Sequence, residues 1–529
     1  MKLYNTLTKK VENFEPFDGG ELDGGSQASA GQKPSGDSPA GGSKKVGLYA
    51  CGLTVYDYTH LGHLRKYTMD DVLVRMLKHE GYQVNFIQNV TDVGHLASDE
   101  DTGEDKLEKG AKKYGKTVWE IAREFEDYFF RSMDLMGNLR PDKSTRATEH
   151  IEEQLNLVKK LEEKGYTYVI ENDGVYFDTS KFPEYGKMAG LDLDHQKEGS
   201  RVEKVEGKRN PSDFALWKFE REGENRAMVW ESPWNKRSFP GWHIECSAMS
   251  MKYLGDQFDI HTGGIDHIPV HHTNEIAQTE AATGKVPFVK YWVHHNMLKV
   301  DGIKMSKSLG NFFTVDDIIN RGFSPRALRL LLMSAHYQSE MNFTWENLAG
   351  MQKSYERLLK LVADLQKNSD VKDENGKKSE RANKDDDLSE KSKEFKAKFF
   401  GALAENLNTA QALATLWEVT KSTEINKEDK LSLLLQFNEI FQLDLENAAA
   451  VLQKIKLGKV SSKSTDGGLT DDGSGENSEL TEEVKQILAE REVARKNNDW
   501  KKSDELRDLL LEKGYKVLDS ADGQKLESK

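Results

Sequence analysis

Residues 45–63, KVGLYACGLTVYDYTHLGH, begin as an apolar run and end on two imidazoles around a glycine. Residues 45–51 predict a short buried strand. The next segment, LRKYTMDDVLVRMLKH (64–79), carries apolar residues at helical spacing and predicts a helix from about His63 to His79. YQVNFIQNV (82–90) predicts the following strand. Strand, helix, strand with a ligand-like turn is the opening of a doubly wound parallel sheet. Further on, Phe258-Asp259-Ile260-His261 runs into Thr262-Gly263-Gly264, a second strand ending in a glycine turn. The sheet is therefore expected from two segments, with residues 141–225 inserted between them.

A length of 529 residues exceeds what one core sustains and predicts several domains. The expected division is 1–140 and 226–315 as the two halves of one Rossmann-like domain, 141–225 as a connective insertion, and 316–395 and 396–529 as two helical regions. The fold class is α/β, a doubly wound parallel sheet with an insertion, followed by a C-terminal α-helical bundle. From Trp345 onward, Leu348, Met351, Tyr355, Leu358, Leu359, Val362 and Leu365 share one helical stripe. Three tracts, 18–44, 367–393 and 459–480, are too polar to offset their ordering entropy and are expected as loops. No run of about 18 apolar residues exists, so no membrane span is expected. The N-terminus has no apolar signal core, and Cys51 and Cys246 are the only cysteines. A disulfide framework is excluded, and a reducing cytoplasm is the expected location. The net charge of −14 argues against an all-over nucleic-acid coat but permits local basic grooves.

Two motifs carry the chemistry. His60-Leu61-Gly62-His63 falls at the strand-to-helix junction, where free N–H groups and the positive helix end suit phosphate. A helix cap with two surface histidines reads as well from that motif alone. Lys304-Met305-Ser306-Lys307-Ser308 sets two lysines and two hydroxyls on a Gly/Ser loop, suited to charge building on a leaving pyrophosphate. A solvated basic loop is its plainer reading. Found in this order, each after strand-like sequence, the two point to one nucleotide site.

The pair resembles the two signatures of class I aminoacyl-tRNA synthetases. YACGLTVYDYTHLGH, GWHIECSAM, FDIHTGGIDHIPVHHTNEIAQ and KMSKSLGNFFT narrow the resemblance to the cysteinyl-tRNA synthetases, over nearly the whole chain outside the polar tracts. The resemblance implies ATP-Mg2+ activation of L-cysteine to cysteinyl-adenylate and transfer to the terminal ribose of tRNA(Cys). His60, His63, Lys304 and Lys307 would stabilise transition-state charge. Gly62 and Asp266 would join them at ATP, and Gly52, Thr91, Trp242 and His261 would contact cysteine. It also implies one Zn2+ per subunit on Cys51, Cys246, His271 and Glu275. Those donor types suit zinc, and His271 and Glu275 at i and i+4 share a helix face. By spacing alone, two ordinary buried thiols and a surface His/Glu pair fit equally. A soft ion prefers thiolate over hydroxyl, which would select cysteine against serine.

EREVARKNNDWKKSDELRDLLLEKGYKVLDS (490–520) resembles the family's anticodon-binding portion, and Arg491, Arg495, Lys496, Lys501 and Lys502 would meet phosphate. Leu53 stands where the family commonly has proline, and the end, SADGQKLESK, lacks the family's tryptophan and arginines. A monomer is expected. Two rivals are a ligase that passes cysteine to an amino-sugar, which should lack the helical tail, and a non-catalytic relative, which should have lost KMSKS or the metal set.

Overall fold

The computed structural model describes residues 1–17, 44–94, 105–190, 206–306, 309–369, 388–458 and, beyond these, 484, 487, 490, 491, 494, 502, 503, 506, 507, 509, 510, 515–520 and 523–528. Lys307, Ser308, Arg495, Lys496, Lys501 and most of the three polar tracts lie outside the described residues. The chain divides into two compact units, Met1–Ser464 and Thr465–Lys529.

In the first unit a hairpin of β1 (Lys2–Asn5) and β2 (Lys10–Asn13) precedes β3 (Lys45–Thr54), α1 (Leu61–His79) and β4 (Gln83–Thr91). Helices α2 (Lys106–Tyr114) and α3 (Val118–Met136) lead to β5 (Lys143–Arg146), and α4 (Ile151–Glu163) follows. Next come β6 (Thr167–Ile170), β7 (Gly174–Phe177), β8 (Phe214–Phe219) and β9 (Ser238–Pro240), an antiparallel four-stranded sheet. The chain then returns through α5 (Trp242–Leu254), β10 (Phe258–Gly264), α6 (His271–Thr283) and β11 (Val289–His295). The central sheet has the order β11-β10-β3-β4-β5, and every pairing in it is parallel. Its strands are continuous apolar runs because both faces are covered: Val46, Leu48, Tyr49 and Ala50 are all fully buried.

Connections leave β3 toward β4 on one side and arrive at β10 on the other, so the carboxyl ends of β3 and β10 frame a crevice. The register of β3 on β4 shifts between Ala50 and Leu53. This irregularity falls on Cys51-Gly52, a local break of the kind that re-aims side chains beside active sites. A small sheet of β12 (Leu298–Val300), β13 (Ile303–Lys304) and β14 (Met341–Phe343) carries Lys304 at its end.

The rest of the unit is helical: α7 (Val315–Asn320), α8 (Pro325–Leu332), α9 (Trp345–Ser369), α10 (Glu390–Ala404), α11 (Thr409–Lys421), α12 (Lys427–Phe441) and α13 (Ala448–Lys456). The stripe expected from Leu348 to Leu365 is the buried face of α9, with Met351 half-buried. In the second unit an antiparallel pair, β15 (Tyr515–Ser520) and β16 (Gly523–Ser528), departs from the expectation of helices to the end of the chain. Two residues separate these strands, and Asp522-Gly523 in the sequence is a hairpin signal that the helical pattern before it masks.

Candidate functional site

The helix α1 begins two residues earlier than its apolar pattern suggests, because His60 caps it. The Nδ1 of His60 accepts from the backbone N–H of Gly62 (3.1 Å) and His63 (3.4 Å), and His63 Nδ1 accepts from the His60 N–H (3.4 Å). The two rings stack at 3.6 Å. Sequence reasoning reserved these amides for phosphate; here His60 occupies them, so its ring must turn away before an anion can use them. Burial, with His60 and His267 nearby, holds His63 well below the ordinary histidine range, so its imidazole is neutral at pH 7.

The two motifs, some 240 positions apart in the sequence, meet directly. Leu61 N–H donates to the Phe313 carbonyl at 3.0 Å, and His60 packs edge-on against Phe312. A Cβ on Gly62 would lie 3.0 Å from both the Met305 methyl and His60 Cε1, so the two motifs touch at this glycine. Asn311 holds the loop by accepting from Ser306 N–H (2.8 Å) and donating to the Lys304 carbonyl (3.2 Å). Together these residues border a cleft of about 440 Å³ lined by His60, Gly62, His63, Lys304 and Asp266 and, at its other end, by Cys51, Gly52 and Trp242.

Below that end lies a cluster of sulfur, nitrogen and oxygen donors. Ligand atoms of Cys51, Cys246, His271 and Glu275, all buried, lie within 4.8 Å of one another. Cys51 comes from the β3 irregularity, Cys246 from α5, and His271 and Glu275 from the first turns of α6. His271 Nε2 is 2.9 Å from Glu275 Oε1. Burial alone would raise the Glu275 carboxyl, but His261 and His271 hold it down to about 2. Burial pushes the Cys51 thiol up from its ordinary range, and the hydrogen bond with Cys51, followed by burial, pushes Cys246 well above its own. Two thiols, an imidazole and an ionised carboxylate at this spacing fit a tetrahedral zinc donor set. Trp242 stacks on His271 with centroids 4.6 Å apart.

Thr91 and His261 are placed differently. Thr91 accepts from Asn89 Nδ2 at 3.0 Å, and His261 is fully buried, 3.0 Å from Glu275 Oε2; neither lines the cleft. A second quartet, Cys51, His261, His272 and Glu275, is equally close-set, with His272 Nε2 3.2 Å from Cys51 Sγ. His272 escaped the sequence reading although its i, i+3 relation to Glu275 was a usable signal. Lys66, His267 and His295, which also line the cleft, were likewise missed. In the second unit Arg491 is buried and donates to the Ser503 carbonyl at 3.2 Å, so it is not the phosphate contact expected of it; Lys502 is exposed.

Residues 38–353 match the family model described as the tRNA synthetases class I (C) catalytic domain, and residues 477–525 the Cysteinyl-tRNA ligase anticodon binding domain. A cysteine–tRNA ligase of Treponema denticola is 41% identical over 528 residues, covering 98% of each chain. The chain belongs to the cysteine–tRNA ligase family. A second member, cysteine–tRNA ligase 1 of Burkholderia lata, is 38% identical over 99% of this chain and 96% of its own. Among solved structures, Agrobacterium radiobacter LeuRS in a ternary complex aligns with a TM-score of 0.56 at 13% identity, covering 80% of this chain and 87% of that one. Mycobacterium tuberculosis methionyl-tRNA synthetase bound by methionyl-adenylate aligns with 0.51 at 15%, covering 78% and 94%. At that identity these two likenesses are of fold alone. Among the described residues, no helix is long and apolar enough to cross a membrane.

Proposed function

We propose that this cysteine–tRNA ligase activates L-cysteine with ATP-Mg2+ in the cleft between HLGH and KMSKS and passes the cysteinyl group to the terminal ribose of tRNA(Cys). The observation that carries the reading is the buried donor cluster of Cys51, Cys246, His271 and Glu275, whose Cys51 lines the same cleft as His60, His63 and Lys304. Cys51, Cys246, His271 and Glu275 would hold Zn2+, one per subunit, which when bound supplies a soft centre that favours thiolate over hydroxyl. Trp242, stacked on His271, walls the amino-acid end. Gly52, which lines the cleft, would meet the substrate there with its backbone. Thr91, through Asn89, and His261, through Glu275, fix that wall from behind.

At the nucleotide end His60, Gly62, His63 and Asp266 receive ATP. In the first step a cysteine carboxylate oxygen attacks the α-phosphorus and the bond to pyrophosphate breaks. Lys304 and Lys307 follow the negative charge onto the departing pyrophosphate. In the second step the ribose hydroxyl attacks the carbonyl and AMP leaves. The reading is of a cytoplasmic monomer.

Amino-acid-dependent pyrophosphate exchange tests this, comparing cysteine with serine alongside a metal assay. Exchange should require cysteine, and about one zinc per chain should be found. Lys307→Ala should slow exchange on the order of tenfold or more with zinc retained, the loss expected for one charge-stabilising group. Cys246→Ser should lower zinc content and narrow the gap between cysteine and serine. Equal exchange with serine in the unaltered protein would refute the reading.

A further inference from the structure

Lys66 lies one turn beyond His63 on α1, so both face the same crevice. Its Nζ donates to the carbonyl of Cys51 at 2.7 Å and pairs with Asp70 Oδ2 at 2.7 Å. Asp70 in turn sits 2.9 Å from His295 Nε2, and both are buried. Burial would raise the Asp70 carboxyl, but Lys66 and His295 hold it down to about 2. His295, driven below the ordinary range by burial, is neutral and donates to that carboxylate. Lys66 is thus an ammonium gripped on one side by the backbone of Cys51 and on the other by a fixed carboxylate, with 11% of its side chain exposed. An ammonium has three N–H donors, and these two partners take two of them.

The location gives the third a purpose. An amino acid whose sulfur is seated at the Cys51–Cys246 cluster has its carboxyl carbon three bonds away. That carboxylate must reach toward the α1 N-terminus to attack phosphorus. Lys66 stands on this path, bonded to the backbone of one cluster residue and one turn from His63. The cations of KMSKS serve the leaving pyrophosphate at the other end. We propose that Lys66 binds the carboxylate of the amino-acid substrate, orienting the attacking oxygen. Asp70 keeps the ammonium in place and offsets its charge, so it can remain buried between turnovers.

This rests on the ligase reading and is tested by binding, not turnover. The affinities of full-length, zinc-loaded protein for L-cysteine and for cysteamine, which lacks the carboxylate, are measured by calorimetry without ATP. The unaltered protein should prefer cysteine. Lys66→Met should reduce that preference on the order of tenfold or more, the range of a charge-assisted hydrogen bond, with cysteamine affinity and zinc content unchanged. Lys66→Gln provides the same comparison if the methionine variant does not fold. A preference for cysteine that survives in both variants, or an equal fall for both ligands, overturns the assignment of Lys66 alone. Unaltered protein that binds neither compound overturns the ligase reading as well.

Discussion

At the scale of single residues, the site depends on a glycine whose reason is steric rather than conformational. A Cβ added to Gly52 would lie 1.6 Å from the Asn89 carbonyl oxygen, so no side chain fits unless β3 and β4 separate. The same residue donates its N–H to Asn89 Oδ1 at 2.7 Å, which holds Cys51 at the break in register. Gly52→Ala should therefore destabilise the protein by about 1–3 kcal/mol, the usual penalty for overpacking. It should also lower zinc occupancy, because the displaced strand carries Cys51. Denaturant midpoints and metal content measured together would check this; a variant with normal stability and full zinc would show that the strands yield freely. Sequence could flag Gly52 only by resemblance. What it could not show is which neighbour forbids a side chain, since Asn89 is brought there by strand pairing.

At the scale of elements, α1 is where the two halves of the first unit are joined, and it does this with buried charge. Arg65 donates to four carbonyls, those of Asn296, Met297, His336 and Ser339, at 2.6–3.0 Å. Asp71 pairs with Arg329 of α8, which also reaches the Phe441 carbonyl (2.6 Å) at the end of α12 and Asn138 Oδ1 (2.5 Å) beyond α3. Arg329 is fully buried. Removing one partner of such a pair leaves a buried charge uncompensated, which costs about 3–5 kcal/mol. Arg329→Met should lose stability of that order. Arg131→Ala, which breaks an equally well-formed pair with Asp316 that is 40% and 36% exposed, should lose about 1 kcal/mol or less. Urea unfolding of the two variants side by side measures the contrast, and equal losses would mean that burial does not set the value of these pairs. The sequence made α1, β3 and β4 legible because long apolar runs and short connections leave few alternatives. It gave no warning of Arg65 or Arg329 as interior residues, because a helix pattern does not reveal which cations other elements will cover.

For the whole molecule, the fold class could be read because two short motifs imply one crevice, and one crevice implies a sheet assembled across the insertion. The buried donor cluster was legible only in part. The i+3 and i+4 positions both reach Glu275, so spacing could not separate His271 from His272, and packing brings both close. The four-stranded sheet of β6 to β9, whose last strand lies past residue 225 where the insertion was expected to end, and the small sheet bearing Lys304 were missed because their strands are two to six residues long. Every residue assigned to activation lies within Met1–Ser464, while the match to an anticodon binding domain spans 477–525. Recognition of RNA by a segment outside Met1–Ser464 would add affinity through phosphate contacts without altering the attack on ATP. A chain ending at Ser464 should therefore keep cysteine-dependent pyrophosphate exchange near that of the full protein. The same chain should charge tRNA(Cys) poorly, chiefly through a raised KM for the RNA. Exchange and charging assays on one preparation separate the outcomes. Charging as efficient as that of the intact protein would show that Thr465–Lys529 contributes nothing to RNA binding, and loss of exchange would show that the first unit needs the second to form its cleft.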